Sequence, residues 1–299
     1  MKKSEKLIAR RNAIVPEGLG SYGPATITTA KGATFRDADG REIIDFAGGI
    51  GVLNAGHCPK PVVDAIIKQS RQLLHACFAV AVYEPYLELC EKLAKIFPHG
   101  KSTKVLLVNS GAEATENAMR MARVHTGRTK IMSFYRSYHG NTGFAINLTG
   151  EPRRWANEYA HSIVHFMGPY LYRSNFHSTT MEEEGERALQ HLKDIIMYEG
   201  ASTIAAVIIE TVIGTAGIIP PPPGYLEGLQ KLCRDNNIVY IADEVMAGFG
   251  RTGEWFAYKN YNVEPDIICF AKGVNSGYVP LGGISMSKDL SDHFEDKFY

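Results

Sequence analysis

Short runs of β-branched and apolar residues alternate with longer helix-like segments from about Lys104 onward. These runs are Val105 to Val108, Ile131 to Phe134, Ile204 to Ile209, Ile238 to Ala242 and Ile267 to Phe270. Short apolar runs without strict alternation are typical of strands that are buried on both faces. The pattern therefore predicts an α/β fold with a mostly parallel central sheet.

Apolar residues at helical spacing lie between and before these runs. Tyr225 to Cys233 is one such segment, and the four prolines that precede it predict a loop. Pro61 to Leu74 and Tyr86 to Phe97 are also predicted helices, whereas Thr26 to Asp45 is a predicted β-hairpin. The acidic run Glu182 to Glu184 is predicted to begin a helix on a solvated face.

The composition limits the classes of partner. The chain has 299 residues, and 32 Lys and Arg balance 32 Asp and Glu. No basic face is implied, so we expect no nucleic-acid partner. Glu5 interrupts the basic N-terminus and no long apolar run follows it. We therefore expect neither a signal peptide nor a membrane span, and a cytoplasmic location.

The sequence has no metal-binding motif. Its five cysteines form no Cys-x-x-Cys pair, and His161 and His165 lack the glutamate of a His-Glu-x-x-His motif. We therefore expect no metal site.

Residues that could form a binding site follow four of the predicted strands. Ligands bind beyond the carboxyl ends of parallel strands, so these positions are the candidate site. They are Ser110-Gly111-Ala112 before a helix, Tyr138-His139-Gly140 in a loop, Asp243 at a strand end, and Lys272 directly after the last run.

Each of these features alone has a simpler explanation, such as an N-cap, a loop residue or a solvated lysine. Together they offer free N–H groups for a phosphate, an aromatic platform, a carboxylate for a pyridinium nitrogen and an amine for an aldehyde. These are the groups that pyridoxal 5′-phosphate requires.

The same residues carry a family resemblance that covers nearly the whole chain. The chain resembles class III aminotransferases of fold type I at Asn109 to Ala118, Tyr138-His139-Gly140, Asp243-Glu244-Val245, Gly248 to Gly253 and Ala271-Lys272-Gly273. The resemblance implies a large domain of that fold and pyridoxal 5′-phosphate as cofactor. It also implies transfer of an amino group from an amino acid or ω-amino acid to a 2-oxo acid such as pyruvate or 2-oxoglutarate.

Roles for individual residues follow from the resemblance. Lys272 would hold the cofactor as a Schiff base, the internal aldimine, and would carry the substrate proton, while Asp243 would keep the pyridine nitrogen protonated. The other cofactor contacts that it implies are Ser110, Gly111, Ala112, Tyr138, His139 and Val245.

The resemblance is divided on the substrate. Phe46 to Leu93 resembles the 4-aminobutyrate branch, whereas Glu210 to Gly283 resembles enzymes that act on taurine or β-alanine with pyruvate. The 4-aminobutyrate branch has an arginine directly after Tyr-His-Gly, where this chain has Asn141. An amide cannot form the two charge-assisted hydrogen bonds that a guanidinium forms with a carboxylate. The implied substrate-side residues are Glu210, Ile50 and Asn141.

The resemblance also implies a domain arrangement and a homodimer. Residues 1–50 would be the N-terminal segment of an α+β small domain, and residues 51–299 would be the large cofactor-binding domain. The remainder of the small domain, on the order of a hundred residues, would be absent. A truncated chain that binds the cofactor with little turnover is therefore an open alternative.

A second alternative comes from Gly248 to Gly253, which satisfies Gly-x-Gly-x-x-Gly, so an NAD-dependent oxidoreductase is considered. These glycines begin several residues after the strand and lead to no clear helix. The spacing favours a turn-rich loop.

Overall fold

The computed structural model describes residues 1–21, 23–157 and 162–294, which form two compact units, Met1–Val82 and Tyr83–Tyr299. His161, one of the two spaced histidines, lies outside the described residues. The predicted boundary after residue 50 falls inside the first unit, and the assignment of residues 1–50 to a small domain stays a prediction.

The first unit combines helices with a small antiparallel sheet. Its elements are α1 (Lys3–Ile14), β1 (Thr29–Lys31), β2 (Thr34–Arg36), β3 (Glu42–Ile44), α2 (Gly48–Gly51) and α3 (Lys60–Ser70). The predicted hairpin is a three-stranded sheet in the order β1-β2-β3. Asp37 shapes the second turn, because its Oδ1 accepts hydrogen bonds from the N–H groups of Asp39 (3.0 Å) and Arg41 (2.8 Å).

The short element α2 is a left-handed turn. All four of its residues have positive φ, and Ile50 has φ 66° and ψ 54°. This conformation is strained for a β-branched residue. The Ile50 side chain is exposed.

The second unit alternates helices and strands over most of its length. Its elements are α4 (Glu84–Ala94), β4 (Lys104–Val108), α5 (Gly111–Thr126), β5 (Lys130–Phe134), α6 (Gly143–Leu148), β6 (Ile163–Phe166), α7 (Met181–Glu199), β7 (Ile204–Glu210), α8 (Tyr225–Asp235), β8 (Val239–Asp243), β9 (Ile267–Phe270), β10 (Gly282–Met286) and α9 (Lys288–Asp292). The five predicted apolar runs are all strands.

The strands form one sheet in the order β4-β10-β9-β8-β7-β5-β6. The neighbours from β9 to β6 pair in parallel, whereas β10 pairs antiparallel with both β9 and β4. The prediction of a mostly parallel sheet is confirmed. The antiparallel strand β10 was not predicted from the apolar pattern.

Both faces of the sheet are covered, which explains why its strands are apolar along their whole length. Every residue of β7 is buried, and Val207 and Ile209 join one apolar cluster while Ala206 and Ile208 join another. The first cluster includes residues of α7 and α8, and the second includes residues of α5. This three-layer packing holds the carboxyl ends of β5, β7, β8 and β9 at one edge.

Arg128 ties several elements together at the opposite edge. Its Nη1 lies 2.8 to 3.2 Å from the carbonyl oxygens of Ala201, Ile204, Asn236 and Asn237. One guanidinium thus satisfies backbone acceptors at the start of β7 and after α8. Within the described ranges, no helix has the length and apolar character needed to cross a bilayer.

Candidate active site

One cavity of about 240 Å³ lies where the predicted strand-end residues converge. Its lining includes all the predicted cofactor residues together with Glu210 and Asn141. Gly140, which the sequence placed with Tyr138 and His139 in the candidate site, also lines it, whereas Thr215, Met246 and Ala271 line it without having been selected as site residues. Gly140, Ala271 and Met246 lie within or directly beside the recognised motifs, whereas Thr215 lies in a loop without a motif. Ile50 belongs to the first unit, and its place beside the substrate stays a prediction.

The N-terminus of α5 opens into this cavity. Ser110 is the N-cap, and its Oγ accepts a hydrogen bond of 3.2 Å from Glu113 N. The N–H groups of Gly111 and Ala112 have no acceptor among the described residues, as expected for the first turn of a helix. With the helix dipole behind them, these groups can bind an anion.

The loop after β5 comes very close to this helix terminus at Gly140. A Cβ on Gly140 would lie 2.8 Å from Ala112 Cβ and 2.9 Å from Ala145 Cβ, and its φ is +135°. Only glycine fits both the spacing and the backbone angle. The close approach brings His139 and Asn141 to the same cavity as Ser110.

Asp243 and His139 form a buried pair in the wall of the cavity. The imidazole Nδ1 lies 2.7 Å from Asp243 Oδ2, and Asp243 Oδ1 accepts a hydrogen bond of 3.0 Å from Val245 N. The side chains are almost fully buried, so the carboxylate and ring are held in place. His139 Nε2 has no hydrogen-bond partner among the described residues. The carboxylate therefore favours the Nδ1–H form of the ring.

Glu210 lies beside Asp243 in the register of β7 and β8. Its Oε1 accepts from Tyr138 N at 2.8 Å and its Oε2 accepts from Gly214 N at 3.0 Å. Burial raises the pKa of Glu210, and the charge of Asp243 raises it further. Both oxygen atoms thus hold backbone groups of loops that line the cavity.

Lys272 follows β9 and points its amine into this polar wall. Burial lowers the pKa of Lys272, Asp243 and Glu210 oppose this shift, and Arg251 adds to it. Its Nζ lies 3.8 Å from Met246 Sδ. The backbone of Lys272 has φ +43°, which is uncommon for a residue other than glycine. A half-buried lysine with a lowered pKa is suited to attack a carbonyl group.

Glu244 anchors the loop that carries Val245 and Met246. Its buried carboxylate accepts hydrogen bonds from Thr211 Oγ1 (2.6 Å), Ala257 N (2.9 Å) and Tyr258 N (3.0 Å). Burial raises the pKa of Glu244 to about 7 in spite of these donors. The glycine-rich segment Gly248 to Gly253 forms turns, and the described chain continues with a short 3₁₀ helix, Ala257–Tyr261, rather than an α-helix before β9. This geometry does not support the dinucleotide alternative.

Tyr138 contributes an aromatic ring to the cavity, and an arginine lies over that ring. The guanidinium carbon of Arg153 is 4.2 Å from the ring centroid. In the described part of the chain, no group of three or more His, Cys, Asp or Glu side chains could hold a metal ion.

Comparison with known proteins places this chain in a family. Residues 20–297 match the family model described as aminotransferase class-III. The 5-aminovalerate aminotransferase of Pseudomonas putida is 40% identical over 97% of this chain and 67% of its own length. The 4-aminobutyrate aminotransferase of Escherichia coli is 37% identical over 98% of this chain and 67% of its own length. The chain thus spans about two thirds of the length of these relatives.

Solved structures give the same result. A taurine:2-oxoglutarate aminotransferase from Bifidobacterium kashiwanohense, in complex with PLP and glutamate, matches with a TM-score of 0.92 and 39% identity. The match covers 99% of this chain and 68% of that one. An (S)-enantioselective omega-transaminase from Thermomicrobium roseum also has a TM-score of 0.92, with 33% identity over 100% of this chain and 70% of that one.

These matches confirm the predicted fold type I architecture, the pyridoxal 5′-phosphate cofactor and the aminotransferase class. They do not test the roles predicted for individual residues. This chain belongs to the class III aminotransferase family.

Proposed function

We propose that this chain binds pyridoxal 5′-phosphate through Lys272 and transfers the amino group of an ω-amino acid to a 2-oxo acid. One observation carries the proposal. The amine of Lys272, the carboxylate of Asp243 and the open N-terminus of α5 all line the same cavity. An amine, a carboxylate and an anion-binding terminus match the aldehyde, the ring nitrogen and the phosphate of this cofactor.

The residues present fit the cofactor. The N–H groups of Gly111 and Ala112 have no acceptor in the described part of the chain, and Ser110 adds a hydroxyl, so these three residues would hold the phosphate. Tyr138 and Val245 would pack against the ring. Asp243, which His139 holds in place, would hold the protonated ring nitrogen.

The cofactor, when bound, supplies the electron sink that makes the substrate Cα–H acidic. The chain supplies the groups that move protons and hold geometry. Lys272 Nζ would accept the Cα proton and return it, which requires a neutral amine and therefore benefits from the lowered pKa. Glu210 would keep Tyr138 in place through its backbone N–H. The carboxylate of Asp243 would stabilise the positive ring nitrogen.

The proposed donors carry an amine separated from a carboxylate or sulfonate. The relatives named above act on 5-aminovalerate, 4-aminobutyrate and taurine, which share this feature. Asn141 supports a pocket that differs from the 4-aminobutyrate branch, because an amide replaces its arginine. We also propose a homodimer and a cytoplasmic location, on the resemblance to the class III family.

Borohydride trapping tests the attachment site. Purified protein with pyridoxal 5′-phosphate should show visible absorbance that borohydride removes, with the pyridoxyl group fixed on the peptide containing Lys272. Lys272→Ala should lose this absorbance, whereas Lys231→Ala should retain it because Lys231 pairs with Asp235 and does not line the cavity. Trapping only on another lysine would overturn the assignment.

A donor panel then tests turnover. Protein with cofactor is given β-alanine, taurine, 4-aminobutyrate or 5-aminovalerate with pyruvate or 2-oxoglutarate, and the new amino acid is measured. Asp243→Asn should lower the rate by about 100-fold or more, because a neutral amide does not stabilise the protonated ring. Cofactor attachment without amino transfer from any donor would favour the alternative of a binding chain with little turnover.

A further inference from the structure

Among the described residues that line the cavity, no cation is free for an acidic substrate. Its described lining includes two carboxylates, Asp243 and Glu210, and no arginine. The ring of His139 is bound to Asp243, and the amine of Lys272 is committed to the cofactor under the proposed function. A substrate carboxylate or sulfonate close to these acidic groups would be repelled unless a positive charge lies nearby. A guanidinium next to the lining can supply this charge.

Arg153 lies one aromatic ring away from the cavity. Its guanidinium carbon is 4.2 Å from the centroid of Tyr138, and Tyr138 is a lining residue. Arg154 is different, because its guanidinium lies 5.7 Å from the ring of Tyr135, which does not line the cavity. The contact with Tyr138 therefore couples Arg153 in particular to the site.

The two terminal nitrogen atoms of the Arg153 guanidinium can donate hydrogen bonds to a ligand. Its Nε pairs with Glu151, and its side chain is 46% exposed. Among the described residues, none accepts a hydrogen bond from its two terminal nitrogen atoms. A partly exposed ion pair such as Arg153–Glu151 contributes little free energy, so an incoming anion can share or replace it.

We propose that Arg153 is a specificity-determining residue that binds the carboxylate or sulfonate of the amino donor, and this inference rests on the proposed function. A guanidinium offers two parallel N–H donors that match the oxygen atoms of either acid group. The ring of Tyr138 orients it through the cation–π contact. Asn141 adds an amide in the lining that can donate one further hydrogen bond.

The experiment compares two substitutions with a matched control. Arg153→Met keeps an apolar stem against Tyr138 and removes the charge, whereas Arg153→Lys keeps the charge and removes the fork. Arg173→Met is the control, because Arg173 makes a similar contact with Tyr172, at 5.8 Å, and neither residue lines the cavity. All proteins are loaded with cofactor.

The first half-reaction is followed by the cofactor's visible absorbance, with donor in excess and no 2-oxo acid. Donors are β-alanine, taurine and 4-aminobutyrate, together with propylamine, which has no acid group. Arg153→Met should raise the half-saturating concentration of the acidic donors by about tenfold or more and that of propylamine by less than about twofold. Arg153→Lys should lie between, and Arg173→Met should match the wild type.

An equal change for propylamine and the acidic donors would assign a merely structural role to Arg153, and no change for the acidic donors would also overturn the inference. If the wild type shows no half-reaction with any donor, the proposed function has failed, and calorimetric titration with propionate tests Arg153 separately. Weaker propionate binding to Arg153→Met than to the wild type supports the inference. Equal binding, or no binding to the wild type, overturns it.

Discussion

Lys272 combines a left-handed backbone with a half-buried amine, and both features follow from its position directly after β9. A φ of +43° costs free energy in a lysine, so the surrounding structure must impose it. The same residue has a lowered pKa because burial removes water from its ammonium group. The backbone strain and the burial of Lys272 both cost folding free energy. They indicate that this side chain is placed for a reaction rather than for stability.

The pH dependence of cofactor attachment tests this interpretation. Only the neutral amine attacks an aldehyde, so the attachment rate should rise with pH through an inflection below 10.5, the ordinary pKa of lysine. Asp243→Asn removes a negative charge that raises the pKa of Lys272, so the inflection should move to lower pH. Stopped-flow absorbance across a pH series measures the rate. An inflection that stays in place or moves upward in Asp243→Asn contradicts the assignment.

At the scale of elements, Arg128 links parts of the fold that are far apart in sequence. Its Nη1 contacts carbonyl oxygens near the start of β7 and after α8, and these oxygens would lose a charged donor if the guanidinium were removed. Arg128→Met should therefore lower the free energy of unfolding by about 2 to 4 kcal/mol.

Urea denaturation measures the effect of Arg128→Met, with Lys231→Met as control. Lys231 makes an exposed i,i+4 pair with Asp235, so its substitution should change stability by less than about 0.5 kcal/mol. Equal stability of the two variants would show that the four contacts of Arg128 are not important for the fold.

Strands with continuous apolar runs were predictable from sequence, and β10 was not. Its sequence begins with Gly282 and Gly283, which have low strand propensity. A Cβ on Gly282 would lie 2.5 Å from Ser110 O, and one on Gly283 would lie 2.5 Å from Phe270 Cζ. Glycine is required at both positions because atoms of neighbouring strands and loops leave no room for a side chain. These neighbours are distant in sequence, so the local pattern does not reveal them.

The acidic run at the start of α7 shows a similar limit. The helix begins at Met181 with Thr180 as N-cap, as the pattern indicated, but Glu184 is fully buried rather than solvated. Its carboxylate accepts hydrogen bonds from Tyr170 N and Ser174 Oγ in a preceding loop. The charge of the local sequence predicted that Glu184 is exposed. The groups that bind its carboxylate lie outside the helix, so the local sequence did not reveal them.

At the scale of the whole molecule, the site was largely predictable because its residues share one rule. Ser110, Tyr138, Asp243 and Lys272 each lie at or shortly after the end of a strand, and parallel strands bring their carboxyl ends to one edge. Neither Arg153 nor Thr215 lies in a motif at the end of a predicted strand, so the sequence did not indicate them. Arg153 lies in a short 3₁₀ helix, Pro152–Asn157. Its guanidinium contacts the ring of Tyr138 because the chain between the two residues folds back.

Stability of the whole chain should depend on pH through Glu244. Its pKa is about 7 in the folded state and 4.5 ordinarily, so the folded state binds the proton more tightly. Between about pH 4.5 and 7 the folded state therefore holds more protons, and this group lowers the free energy of unfolding as pH rises, by about 3 kcal/mol in total. Above pH 7 the full loss of unfolding free energy from the ionisation of Glu244 is present.

Glu244→Gln should remove that slope, because the amide does not titrate. Urea denaturation at pH 5 and pH 8 gives the difference in unfolding free energy for the wild type, for Glu244→Gln and for Glu88→Gln, an exposed control. The wild type and the control should lose more stability between the two pH values than Glu244→Gln does. The same loss in all three proteins would contradict a raised pKa for Glu244.

The position of β10 between β4 and β9 governs when β4 can join the sheet during synthesis. In the described part of the sheet β4 pairs only with β10, although 173 residues, 109 to 281, separate the two strands. Strand β4, which leads into the anion-binding end of α5, thus joins the sheet only after β10 has been synthesised. Such distant pairing is slow, and a ligand that contacts both sides selects the completed sheet. Cofactor supply should therefore affect the yield of folded chain as well as its activity.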